Sequence, residues 1–141
     1  MVGILIATYG EIGRWLLETA VDLVGEPAAA VETISLSDDQ DRAKAWDSIV
    51  SAAENVDSGQ GVLLMVDMFG STSSTLALGL LADRNVEVLT GVNLAMVLRA
   101  LLNRKDADLK SLSEDVLSYG RRNVTSSATW LSSGAHPKGN D

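Results

Sequence analysis

The run Asp67-Met68-Phe69-Gly70-Ser71-Thr72-Ser73-Ser74-Thr75 places one carboxylate ahead of a glycine and consecutive hydroxyl residues. If a helix begins there, its free N–H groups and its dipole suit an anion of the phosphate type. The same residues also serve as an N-cap run behind a strand-end aspartate, and residue types alone leave both readings open. Thr8-Tyr9-Gly10 offers a phenol between two small residues. A phenol with a pKa near 10 is a poor nucleophile and a poor base at neutral pH. On chemistry alone, Tyr9 reads as an aromatic lid over a loop pocket. A third polar turn, Gly91-Val92-Asn93, completes the set. The chain has no G-x-x-x-x-G-K-[ST] and no G-x-G-x-x-G, which argues against a nucleotide P-loop or a dinucleotide fingerprint.

The counts narrow the chemistry further. Cysteine is absent, which removes disulfides, thiolate nucleophiles and cysteine metal sites. Histidine occurs once, as His136 in a Gly/Pro/Lys tail, and reads as a solvated tail residue. No metal ligand set and no cofactor are called for.

Strands and helices must hold these loops. Val2 to Ala7 is a continuous apolar run, as expected of a strand buried on both faces of a parallel sheet. From Glu11 to Val24 the apolar residues shift to helical spacing, with Gly25 as a C-cap and Pro27 beyond it. Val31 to Leu36 alternates as a second strand. Ser37-Asp38-Asp39 reads as the N-cap of a helix from about 40 to 55. Gly61 to Val66 is a third strand, followed by a helix over about 73–82. Val86 to Leu89 is a fourth strand, and helices follow over 94–103 and 109–122. Ser126 to Leu131 leans toward a short β segment, and 132–141 has the composition of a disordered tail. Trp15 and Trp46 sit at helical spacing and are expected in the core. Met65, Met68 and Met96 read as core or pocket filler, and Trp130 as a contact to a partner chain.

Four strand–helix alternations imply an α/β fold: a small doubly wound, mostly parallel four-stranded sheet with helices on both faces. Such sheets carry their sites outside the carboxyl ends of the strands. That rule selects the loops holding Tyr9, Asp67 and Asn93. One domain over 1–131 is expected, and at this size it buries roughly two-thirds of its unfolded surface. The net charge of −8 argues against nucleic-acid binding and against an anionic membrane surface. No apolar run is long enough to span a bilayer, and MVGILIATYGE has no signal-peptide features, so a cytoplasmic location is expected.

Three segments in order, VGILIATYGEIGRWLLETAVDLVGE, VDSGQGVLLMVDMFGSTSSTLAL and VEVLTGVNLAMVLRALL, resemble enzyme IIA of the mannose-type sugar phosphotransferase system. LSYGRRNV adds a weak fourth match. The resemblance covers residues 1 to about 131. It implies a homodimer that exchanges a C-terminal antiparallel strand. It also implies a histidine after the first strand that takes a phosphoryl group from HPr and passes it to an enzyme IIB. The aspartate after the third strand would orient that imidazole, and the following loop would hold the phosphoryl oxygens.

Carried over by position, the resemblance gives Tyr9 the place of the phosphoacceptor and Asp67 that of the orienting carboxylate. Thr8, Gly10, Phe69, Gly70, Ser71, Thr72, Ser73 and Asn93 become the phosphate-type loop. The sequence departs from the family where the chemistry is. Thr-His-Gly becomes Thr8-Tyr9-Gly10. Asp-Met-Phe-Gly-Gly-Thr-Pro-Ser-Asn becomes the run from Asp67 to Thr75, and Gly-Val-Asn-Leu-Pro-Met becomes Gly91 to Met96 with Ala95 for proline. Three functions are therefore weighed. The first is a non-catalytic regulatory or scaffold protein that binds an HPr-like, IIB-like or new protein partner at the pocket mouth. The second is a working phosphocarrier using Tyr9 or a hydroxyl among Ser71 to Thr75. The third is a small-anion sensor.

Overall fold

The computed structural model describes residues 1–25, 29–68, 70–80 and 84–133. Phe69, Pro27 and residues 134–141 of the expected tail, His136 among them, lie outside the described residues, while Ser132 of that tail closes α6. The strands are β1 (Gly3–Tyr9), β2 (Val31–Leu36), β3 (Val62–Val66) and β4 (Val86–Thr90). The helices are α1 (Ile12–Val24), α2 (Arg42–Val56), α3 (Thr72–Gly79), α4 (Leu94–Asn103), α5 (Leu109–Arg122) and α6 (Ser127–Ser132).

The four strands form one sheet in the order β2-β1-β3-β4, and every pairing is parallel. The apolar runs of β1 and β3 are continuous because both faces of the sheet are covered. Leu5, Ala7, Leu64 and Val66 point to one layer, where Ala45, Ile49 and Ala53 of α2 and Leu76 and Ala77 of α3 close the core. Ile4, Ile6, Leu63 and Met65 point to the other, against Ala20 of α1, Val97 and Ala100 of α4, and Leu112 and Val116 of α5. The period-2 alternation thus divides each strand's side chains between two cores. Among the described residues, no helix is long and apolar enough to cross a membrane.

Helix boundaries follow local capping. Asn93 and Asp108 cap α4 and α5 by accepting from Met96 and Ser111 N–H groups. Gly25 ends α1 in the left-handed region at φ 76°, a conformation that favours glycine. The cap of α2 differs from expectation. Asp41, not Ser37-Asp38-Asp39, accepts from the N–H groups of Ala43 and Lys44, so the helix starts at Arg42. That shift leaves Ser37 and Asp38 in a loop.

Two further expectations are corrected. Residues 127–132 form a short helix where a strand was expected. Ser126 is its cap: its side chain accepts from the Thr129 N–H at 3.1 Å, and its carbonyl accepts from the Trp130 N–H. These local bonds satisfy the backbone without a sheet edge, and none of the six residues is buried. The second correction concerns Trp15, which is 58% exposed. Helix α1 meets β1 through Gly13 and Ala20, and a Cβ at Gly13 would lie 2.9 Å from Ile6 Cγ2. Trp15, more than a third of a turn from both positions, falls on the flank. Trp46 does pack against the α2–α3 core, as expected.

Gly3 sets the approach of β1 to α2. A Cβ there would stand 2.4 Å from the Val56 carbonyl oxygen and 2.8 Å from its carbon. Backbone cannot rotate away as a flexible side chain can, so Gly3→Ala forces strand and helix apart. A loss of about 1–3 kcal/mol is expected, seen as a melting temperature lower by about 3–10 °C. An unchanged melt would show that the strand slides without cost.

Candidate functional site

In a sheet ordered β2-β1-β3-β4, the chain leaves β1 toward one edge and leaves β3 toward the other. The crevice between the carboxyl ends of β1 and β3 is the switch point. Tyr9 ends β1 and Asp67 follows β3. The Tyr9 N–H donates to Asp67 Oδ2 at 2.7 Å, a single bond that straps the two strand ends together.

Asp67 is the hub of the β3 loop. Its Oδ1 accepts from the Met68 N–H at 2.8 Å and from the Ser71 hydroxyl at 3.1 Å. Partial burial pushes its carboxyl up. The opposing donors, Tyr9 and Met68 N–H with the Ser71 and Ser73 hydroxyls, outweigh that and hold it below the ordinary carboxylate range. Asp67 is therefore ionised at neutral pH, and its oxygens are engaged with its own loops.

Ser71 is the N-cap of α3: its Oγ accepts from the Ser74 N–H at 3.1 Å. Gly70, at φ 84°, makes the turn that sends its N–H to Ser74 Oγ at 2.8 Å. The capping reading of the hydroxyl run therefore holds for Ser71 and Ser74. Ser73 is buried, and its hydroxyl helps hold the Asp67 carboxyl in its charged form. Thr72 faces the cavity.

That cavity has a volume of about 320 Å³. Tyr9, Asp67, Gly70, Ser71, Thr72 and Ser73 line it. Met68 lines it too, with its side chain largely exposed, so of the three methionines it is the one at the pocket while Met65 and Met96 are core. Leu36, Ser37 and Asp38 form the remaining wall and were not among the expected site residues. The carboxyl-end rule applied to β2, which neighbours β1, finds them. Asp38 and Asp67 contribute two carboxylates, and no described lining residue is a cation. Arg42 lines an adjoining depression that shares Leu36, Ser37, Asp38 and Thr72.

Other expected residues stand apart. Thr8 is fully buried, and its Oγ1 accepts from the Gly13 N–H at 2.8 Å, so it anchors the start of α1. Gly10, at φ 56°, donates its N–H to the Leu36 carbonyl and shapes the turn. Asn93 caps α4 and does not line the cavity. Phe69 lies outside the described residues. Among the described residues, no cluster of His, Cys, Asp and Glu could hold a metal ion.

Tyr9 is 54% exposed at the cavity rim. A carboxylate, hydroxyls and a phenol around a small cavity can donate and accept hydrogen bonds. An imidazole, the group that is neutral and nucleophilic near pH 7, is not among the described lining residues.

The family described as PTS system fructose IIA component, EIIA-man, matches residues 3–117. The PTS system mannose-specific EIIAB component of Escherichia coli K12 is 29% identical over 106 residues, 74% of this chain and 32% of that protein. This chain thus matches about a third of the length of that curated relative. Two solved structures share the fold. Phosphotransferase component EIIA from Streptococcus agalactiae has a TM-score of 0.81 at 20% identity, covering 92% of this chain and 99% of that one. The mannose/sorbose-specific IIA subunit from Enterococcus faecalis has a TM-score of 0.78 at 19% identity, covering 89% and 93%.

Proposed function

The chain belongs to the EIIA-man family of phosphotransferase-system IIA components, and from that premise we propose that it retains the scaffold without the phosphoryl relay. Its function is then regulatory or architectural, exerted by binding another protein at the pocket mouth. The observation that carries this reading is the phenol of Tyr9 at the end of β1, where the family resemblance calls for an imidazole.

The chemistry supports it. A phosphohistidine P–N bond is labile, so the group passes onward. A phosphotyrosine ester is far more stable, so even a modified Tyr9 makes a poor relay. The cavity also opposes the cargo: a phosphate dianion would face Asp38 and Asp67 with no described lining cation to offset them. The same repulsion counts against the small-anion sensor.

The proposed partners are an HPr-like or IIB-like protein, or a new one in their place, and the proposed location is the cytoplasm. A homodimer is part of the same proposal. Its support is the C-terminal segment, where Val124 and Leu131 are exposed and Trp130 is partly so, apolar groups that are costly to leave in water.

The test is incubation with phosphoenolpyruvate, enzyme I and HPr, followed by intact-mass measurement. No added phosphate is expected. Stoichiometric acid-labile phosphate would overturn the reading. Acid-stable phosphate lost on Tyr9→Phe, or on serine-to-alanine changes among residues 71–75, would establish the phosphocarrier instead.

A further inference from the structure

We draw no further inference here: the strongest candidate, the open apolar groove between the first turns of α1 and the start of α4, walled by Ile12, Trp15, Leu16 and Leu94 with Thr19, carries nothing because nothing in the structure shows what covers it.

Discussion

Replacing Tyr9 by histidine is expected to turn an inert chain into one that takes an acid-labile phosphoryl group from phosphorylated HPr. Position 9 lies at the switch point, with its backbone N–H on Asp67 Oδ2. A side chain placed there emerges beside a carboxylate that is already ionised. An imidazole at that point is neutral and nucleophilic near pH 7, and an adjacent carboxylate orients it. The glycine and the prolines implied by the family resemblance remain replaced by Ser71, Ser73 and Ala95, and Asp38 still repels the cargo. The gain is therefore partial. Labelling at least about a hundredfold above wild type is expected, the lower end of what one positioned proton-transfer or nucleophilic group contributes. Tyr9→Phe should stay blank. Labelling of Tyr9→Phe, or of wild type as fast as the histidine variant, would refute the idea that the phenol is what stops the relay. A blank histidine variant would show that the rest of the pocket has been lost as well.

Loss of Asp67 is expected to act on stability as much as on chemistry. Asp67→Ala leaves the Tyr9 and Met68 N–H groups and the Ser71 hydroxyl without their acceptor. These donors are exposed or only partly buried, so water replaces part of what is lost, and a penalty of about 0.5–1.5 kcal/mol follows, a fall of about 2–5 °C in melting temperature. Asp67→Asn keeps one carbonyl acceptor and should lose less. The pH dependence has a definite sign. The folded carboxyl titrates below its ordinary value of about 4, because its donors outweigh its burial. The stabilisation is thus complete above that ordinary value and is lost as pH falls through the lower folded one. The stability gap between wild type and Asp67→Ala should be full at pH 7 and narrow below about pH 4. Denaturant titrations at the two pH values measure it. A gap that is absent at pH 7, or equal at both, would contradict the hub role of this carboxylate.

The fold was legible where burial is two-sided and where caps are unambiguous. The apolar runs of β1 and β3 read as strands because nothing polar interrupts them, and Asn93 and Asp108 mark the starts of α4 and α5. Periodicity gave α1 a face but not its width. Gly13 draws that helix close to the sheet on one side, so Trp15 projects from the flank. The C-terminal segment misled for a different reason. Thr129 and Trp130 favour a strand, but the Ser126 cap supplies bonds at once, and a strand would need an edge to pair with.

The site was half legible. The exit loops of β1 and β3 followed from the carboxyl-end rule. The β2 loop was taken as a helix cap, which hid Leu36, Ser37 and Asp38. Asp41, two residues beyond Asp39, supplies the real cap, and no residue-type rule ranks one aspartate over another there. Thr8 and Asn93 were expected at the pocket from the exit loops of β1 and β4 and from the family resemblance. The structure turns both to backbone capping, the commonest use of a threonine or asparagine beside a helix start.

The most direct test follows radiolabel from phosphorylated HPr onto a mannose-type IIB with this chain as the sole IIA. No label on IIB above the control lacking this chain is the predicted result. Label that reaches IIB at a rate set by the amount of this chain would contradict the central claim, because the chain would then be relaying phosphoryl groups without an imidazole at position 9.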